Sequence, residues 1–275
     1  MPTFQGSAFA NFYKRILQIG NSDNSGTPTS TTAIQAGDGV ATSMSVSDDV
    51  LKVQPQTDNT TGAFLVNSQA GNNILAVDTT NSLVKVGAGQ VSATTQYAYF
   101  NVNHSTVDAL GSPWDADKWY GVPFGASTNA AVQSNYFGAS TTSSFNDTDP
   151  ATSLTIGTNA HTALNMYWYV PDNITIDAVH WFHGADAATG DTTAAHLMAY
   201  DIDTGNGSTS GDLSSGVVLA DGSNITNAGY EQIYYQSMTI QSADVDAGKI
   251  IIFCFASDTV NSDYTIQATV KYHIR

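Results

Sequence analysis

The sequence has little positive charge and one cysteine. Eight Lys and Arg residues stand against 24 Asp and Glu residues, which gives a net charge of −16 at pH 7. A chain this acidic is repelled by phosphate backbones and anionic lipids, so we expect neither nucleic acid nor a membrane as a partner. Cys254 has no second cysteine to pair with and lies in the apolar run 250–255, which predicts a buried thiol without a redox role.

Glutamate and long apolar runs are also scarce. Glu231 is the only glutamate, and only 12% of the residues are charged. Because Glu favours helices whereas Asp, Asn, Ser and Gly favour turns, this composition predicts an all-β fold. No run approaches the roughly 18 apolar residues of a membrane span, and residues 1–20 lack the apolar stretch of a signal peptide. We therefore expect a protein that is made and assembled in the cytoplasm.

One helix is predicted, over residues 7–19. Helical spacing places an apolar stripe on one face and Lys14 and Arg15 on the other, and Gly20 follows as a stop signal. The stripe consists of Phe9, Phe12, Tyr13, Ile16 and Leu17. A helix of about three turns is marginal alone in water, so it must dock on something. We predict that residues 1–32, this helix and the polar arm after it, form an anchor.

Residues 33–95 predict a short β-repeat segment. Apolar strands at 50–53, 63–66, 74–77 and 83–86 alternate with polar turns. Strands this short bury little surface within one chain, whereas several chains around a common axis could bury more. We predict that the segment forms a trimer through apolar residues in these strands, namely Val50, Val53, Phe64, Val66, Ile74, Val77, Leu83 and Val86.

Residues 96–275 have a different character. All four tryptophans fall here, and strands are predicted at 163–170, 174–183, 194–202, 217–220, 231–240, 250–256 and 264–275. The last strand alternates, with apolar side chains at every second position from Tyr264 to Ile274. Many short strands separated by Gly, Asn and Asp turns predict a C-terminal antiparallel β-sandwich, jelly-roll-like in order.

The first third of the chain resembles a known class of proteins. Residues 61–67 (TGAFLVN) and 73–87 (NILAVDTTNSLVKVG) resemble the repeats near the shaft of phage fibre and spike proteins, in which an apolar strand, Val-Asp, a polar turn and a second apolar strand follow one another. Residues 10–20 (ANFYKRILQIG) are similar to the N-terminus of virion proteins of marine tailed phages. The resemblance brings no catalytic residues with it.

The resemblance implies a homotrimer on the virion surface. The protein would be a surface fibre or a capsid decoration (cement) subunit. Its N-terminus would attach to another virion protein of the capsid or tail, and its C-terminal domain would be exposed. The alternative is a tail-fibre module that recognises a host glycan. For that function Trp114 and Trp119 are candidate stacking residues, although aromatic side chains on strands are more often part of a core.

The remaining groups of acidic and histidine residues do not indicate a catalytic or metal-binding site. Asp201 and Asp203 alternate as in a calcium loop, but Asn206 stands where such a loop has Gly, so an ordinary hairpin is favoured and no metal or other cofactor is predicted. His180 and His183 would point to opposite faces of a strand, and His196 follows separately. The acids that could form a glycosidase pair, Asp115, Asp117, Asp147, Asp149 and Glu231, show no informative spacing. We predict a protein that is not an enzyme.

Overall fold

The computed structural model describes residues 17–19, 29–36, 39–87, 91–102, 116–125, 136–139, 149–156, 163–186, 189–229, 232–258 and 263–275. Contacts within the chain divide it into two compact units, Met1–Ala93 and Thr94–Arg275. Both units are built almost entirely of antiparallel strands, which confirms the predicted all-β class. Over the ranges given, no helix is long and apolar enough to cross a membrane.

Unit 1 holds two four-stranded meanders. Each strand pairs with its sequence neighbour, in the orders β1-β2-β3-β4 and β5-β6-β7-β8. Their bounds are β1 Leu17–Ile19, β2 Thr32–Ala36, β3 Ala41–Val46, β4 Leu51–Val53, β5 Phe64–Asn67, β6 Asn73–Asp78, β7 Leu83–Val86 and β8 Val91–Ser92. The four strands predicted between 50 and 86 coincide with β4 to β7 to within one residue, because each is a short apolar run between turn-forming residues.

The N-terminal helix prediction is wrong at its C-terminal end. Residues Leu17–Ile19 form β1, which pairs with β2 so that Leu17 lies opposite Ala36 and Ile19 opposite Ile34. Leu-Gln-Ile also alternates with the period of a strand, and pairing with a partner strand supplies hydrogen bonds that a short marginal helix lacks. The other predicted anchor residues lie outside the described residues: Phe9, Phe12, Tyr13, Lys14, Arg15 and Ile16.

Unit 2 contains two larger sheets. Its strands are β9 Thr95–Val102, β10 Lys118–Val122, β11 Tyr136–Ala139, β12 Trp168–Tyr169, β13 Ile174–Asp186, β14 Thr192–Ile202, β15 Leu213–Asp221, β16 Ile225–Thr226, β17 Gln232–Ser237, β18 Thr239–Ile240, β19 Asp244–Val245, β20 Ile250–Ser257 and β21 Asp263–Ile274. One sheet has the order β11-β10-β20-β14-β15-β18, with β12 beside β20 and β16 beside β14. The other has the order β17-β13-β21-β9, with β19 beside β13.

The main core of unit 2 lies between these two sheets. Phe253 and Phe255 of β20 pack there with Trp181 of β13 and Phe100 of β9, and all four side chains are buried. On the last strand, Tyr264, Ile266, Ala268 and Val270 are buried, as the alternation predicts. The arrangement is sandwich-like because each sheet covers the apolar face of the other.

A second core covers the other side of β20. Ile250, Ile252 and Cys254 alternate with the residues of the main core and pack against Met166 and Tyr200. Strand β20 is therefore buried on both faces, which explains its uninterrupted apolar sequence. Burial raises the pKa of the Cys254 thiol, so the thiolate is disfavoured.

The predicted strand 163–170 is mostly wrong. Residues Leu164–Met166 form a 3-10 turn, and only β12 at Trp168–Tyr169 is a strand. The turn places Ala163 and Met166, three residues apart, together in the second core.

Candidate functional site

One face of the β5–β8 sheet carries seven apolar side chains. Strand pairing places Phe64 opposite Val77, which lies opposite Val84, and residues two positions apart on a strand share a face. The set, which we call the apolar face, is Phe64, Val66, Leu75, Val77, Val84, Val86 and Val91. Asn73 lies at its margin.

The apolar face is only partly covered by other described residues of the chain. Phe64, Val66, Val84, Val86 and Val91 are each 39–43% exposed, and Leu75 and Val77 are half-buried. Among the described residues of unit 1, Ala76 is the only buried apolar side chain. A small sheet needs a hydrophobic face packed against something to be stable, so this face has the properties of an interaction surface.

The opposite face of the same sheet is mixed and contains an ion pair. Lys85 Nζ lies 2.7 Å from Asp78 Oδ2, and Asn81 donates to the same carboxylate through its backbone and side chain. The hydrogen bonds from Lys85 and then Asn81 lower the pKa of Asp78 to about 2. This polar network closes the turn between β6 and β7. It places the charged groups on one side of the sheet, which also carries the exposed side chains of Leu65 and Ile74.

The structure separates the predicted trimer residues into three groups. Phe64, Val66, Val77 and Val86 lie together on the apolar face. Ile74 and Leu83 lie on the opposite face of that sheet. Val53 belongs to the other meander, where it lies opposite Met44 on β3, and Val50 directly precedes β4 of that meander. The sequence did not single out Leu75, Val84 and Val91, although alternation along each strand was the signal that could have identified them.

In unit 2 the outer face of the β17-β13-β21-β9 sheet carries a row of rings. Phe182 lies between Tyr235 of β17 and Gln267 of β21, and the rings of Phe182 and Tyr235 are 4.9 Å apart. Tyr235 Oη is 3.0 Å from His180 Nδ1. Next to this row is a cavity of about 390 Å³, lined by Phe182, His183, Gly184, Ile233, Thr265 and Gln267.

Trp119, one of the two predicted glycan contacts, is not at this surface. Trp119 is 1% exposed and packs in the second core, where its ring lies 4.8 Å from that of His196. A sugar therefore has no access to its faces, and the core interpretation of this residue is the correct one. Trp114 lies outside the described residues.

The three histidines have separate surroundings. His180 is on the outer face of β13, whereas His183 is buried among Trp181, Tyr234 and Phe255. His196 contacts Asp149 at 3.1 Å and Asp221 at 3.6 Å. Within the ranges that the structure describes, no group of three or more His, Cys, Asp or Glu side chains is arranged to hold a metal ion.

The loop after β14 uses its carboxylates for its own structure. Asp203 accepts hydrogen bonds from the Thr209 hydroxyl and the Gly205 backbone, and these lower its pKa. Asp201 is paired with Lys249 at 2.6 Å, and its pKa is lowered as well. The two carboxylates thus have different partners, which argues against their joint ligation of calcium and agrees with a hairpin.

The acids considered for glycoside hydrolysis form no pair in the described residues. Asp149 contacts His196, and Asp117 occupies a turn with a φ of 59° before β10. Asp115, Asp147 and Glu231 lie outside the described residues.

Buried His183 makes the stability of unit 2 dependent on pH. Its Nε2 is 2.9 Å from Asn227 Oδ1, and burial lowers its pKa from 6.5 to about 4. Below pH 6.5 His183 becomes protonated in the unfolded chain, whereas in the folded chain it stays neutral down to about pH 4. The free energy of unfolding therefore falls as the pH is lowered from 6.5 to 4. We expect a loss of roughly 3 kcal/mol, measured by urea unfolding at several pH values.

The control for this prediction is His183→Gln, which keeps an amide next to Asn227 but does not titrate. Its unfolding free energy should vary less between pH 6.5 and 4 than that of the parent protein. Equal pH dependence in the two proteins would contradict the assignment to His183.

Comparison with known proteins gives no further assignment. No protein-family model matches this sequence, and no curated protein matches it significantly. Function therefore has to be argued from the two surfaces described above.

Proposed function

We propose that this chain is a subunit of a homotrimeric surface protein of a phage virion, a short fibre or capsid decoration protein. The N-terminal segment attaches it to another virion protein, unit 1 holds the trimer together, and unit 2 is exposed to the medium. Its function is assembly, and it carries out no reaction.

The observation that carries the proposal is the apolar face of the β5–β8 sheet. Removing the exposed part of its side chains from water stabilises an assembly by roughly 1 kcal/mol for each residue. Three chains related by a common axis bring three such faces together, and identical faces meet most simply through symmetry. The resemblance of residues 61–67 and 73–87 to phage fibre repeats covers β5, β6 and β7 of this sheet.

The strand order of unit 2 is a second support. The eight main strands can be lettered A to H in chain order, where they are β9, β10, β13, β14, β15, β17, β20 and β21. In these letters one sheet has the order A-H-C-F and the other has the order B-G-D-E. This is the jelly-roll order, which occurs in viral capsid and lectin domains. A fold alone does not define a function, so the apolar face carries the greater weight.

The attachment role is tested by deletion of residues 1–16, which removes most of the predicted anchor stripe and leaves β1 at Leu17–Ile19 in place. We expect virus particles assembled with the truncated protein to lack it, while the truncated protein itself remains a trimer in light scattering. Particles that retain the truncated protein would refute attachment through the N-terminal segment, and full-length protein expressed in parallel is the control.

A further inference from the structure

The outer face of the β17-β13-β21-β9 sheet exposes five large side chains, and we call it the aromatic face. They are Tyr97 and Tyr99 of β9, Phe182 of β13, and Ile233 and Tyr235 of β17, and their exposed fractions range from 38% to 79%. The residues that alternate with them, such as Ala98, Phe100 and Trp181, are buried in the main core. The five side chains therefore share one side of the sheet.

The aromatic face carries little charge. Four rungs of paired residues cross it, and the residues of β21 on these rungs are Thr265, Gln267, Thr269 and Lys271. Lys271 is the only Lys, Arg, Asp or Glu on the four rungs, all of which the structure describes. Beyond the last rung, Asp177 is paired with His273 at 2.9 Å. Aromatic residues at the centre with charges at the rim are typical of protein–protein interfaces.

The rings of the aromatic face are held in place before any partner binds. Phe182 and Tyr235 lie 4.9 Å apart, and Tyr235 Oη is 3.0 Å from His180 Nδ1. Next to them, Gly184 leaves a cavity of about 390 Å³ whose walls include the apolar side chains of Phe182 and Ile233. Side chains that are already ordered lose little conformational entropy on binding, and the cavity can accept an apolar side chain of a partner.

The size of the aromatic face limits what can bind to it. Four strands about 4.8 Å apart and rungs that span six residue steps give an outline of roughly 19 Å by 20 Å, or about 400 Å². A stable interface between free proteins buries about 800 Å² on each partner. The face is thus too small to hold an independent partner firmly. A neighbour that is already tethered nearby needs less area, because its effective concentration reaches the millimolar range.

Charge favours a second copy of this chain as that neighbour. Each copy carries a net charge of −16, so two copies repel one another overall. The repulsion is weakest where neither surface contributes a carboxylate, which is the case when two aromatic faces meet. A basic partner, in contrast, would be attracted to the acidic remainder of the surface rather than to this face.

We propose that the aromatic faces of unit 2 from different copies pack against one another within one assembly. The proposal rests on the homotrimer proposed above, in which unit 1 keeps the copies close together. It adds a second contact between the chains, which forms only after the first and does not hold the chains together by itself. Bulk solvent is then excluded from the rings of the aromatic face.

Hydroxyl-radical footprinting of the unmodified full chain tests whether the aromatic face is covered. Tyr97, Tyr235 and Tyr169 of β12 are almost equally exposed in a single chain, at 54%, 55% and 55%. Tyr169 lies on the other sheet and is the internal control. In the three-chain assembly, oxidation of Tyr97 and Tyr235, measured by mass spectrometry, should be about fivefold slower or more than that of Tyr169, because a packed interface excludes water.

Photo-crosslinking identifies what covers the face. The native Cys254 is fully buried, so a benzophenone maleimide reacts only with an introduced cysteine. Ile233→Cys carries the label at the margin of the aromatic face, and Val217→Cys carries it on β15 of the other sheet, where the residue is 50% exposed. Illumination should join chains in the Ile233→Cys protein and leave the Val217→Cys chains single in denaturing electrophoresis.

Light scattering on the same samples separates the possible failures. A mass of three chains with equal oxidation of the three tyrosines would overturn the contact between aromatic faces and leave the homotrimer standing. Cross-links confined to single chains would also overturn it, because the chain would then cover its own face. A mass of one chain would overturn both the contact and the homotrimer.

Discussion

Replacing Val86 by Asp is expected to reduce the mass of the proposed homotrimer in solution from three chains to one. Val86 lies in the middle of the apolar face, opposite Leu75 on one side and Val91 on the other. In a trimer closed through this face, the substitution would bury one carboxylate from each chain near the others. The desolvation of a buried ion costs several kcal/mol, which is comparable to the whole contribution of the face at roughly 1 kcal/mol for each of its side chains, and the like charges also repel one another.

Ile74→Asp is the matched control for this prediction. Ile74 lies on the same sheet and is 51% exposed, but it points to the opposite face. It should leave the mass at three chains. Circular dichroism of both variants checks that the all-β fold is retained. Val86→Asp that remains a trimer, or equal dissociation of both variants, would show that the apolar face is not the interface.

The second large effect is expected from Phe253→Ala. Phe253 is fully buried in the main core, with its ring 6.1 Å from that of Phe100 and 6.3 Å from that of Trp181. The substitution removes buried surface and leaves a cavity between two sheets that cannot close around it. We expect the free energy of unfolding of unit 2 to fall by about 3–5 kcal/mol.

Urea unfolding followed by tryptophan fluorescence measures this loss, because all four tryptophans belong to unit 2. Val217→Ala is the control, since Val217 lies on β15 and is half exposed. It should change the unfolding free energy by no more than about 1 kcal/mol. A loss that small for Phe253→Ala would mean that β20 is not the centre of the core.

The strands were the most predictable part of the fold because their signal is local. The alternation from Tyr264 to Ile274 identified β21. The pairing of β21 with β9 was not predictable. Val270 lies opposite Ala98 although most of the sequence of unit 2 separates them, and no short sequence pattern indicates such a contact. The helix prediction failed at Leu17 because a helical period and a strand period both fit its neighbourhood, and the partner strand decided between them.

The interaction surfaces were predictable only in part. The sequence indicated that unit 1 buries too little surface by itself, but it grouped Ile74 with Phe64, and only the strand register shows that they lie on opposite faces. The cavity could not be predicted, because Phe182, Ile233 and Gln267 come from three different strands. Gly184, which leaves the space between them, has no distinguishing sequence context. Trp119 was a candidate glycan contact because of its residue type alone. It is buried, as aromatic side chains on strands more often are.

The proposed homotrimer is tested most directly by the mass of the purified full chain, measured by light scattering at low and high protein concentration. We predict three times 29.0 kDa at both concentrations, because an assembly that covers the apolar face should not dissociate on dilution. A mass of one or two chains would contradict the homotrimer, and a single chain at both concentrations would also remove the assembly role assigned to unit 1.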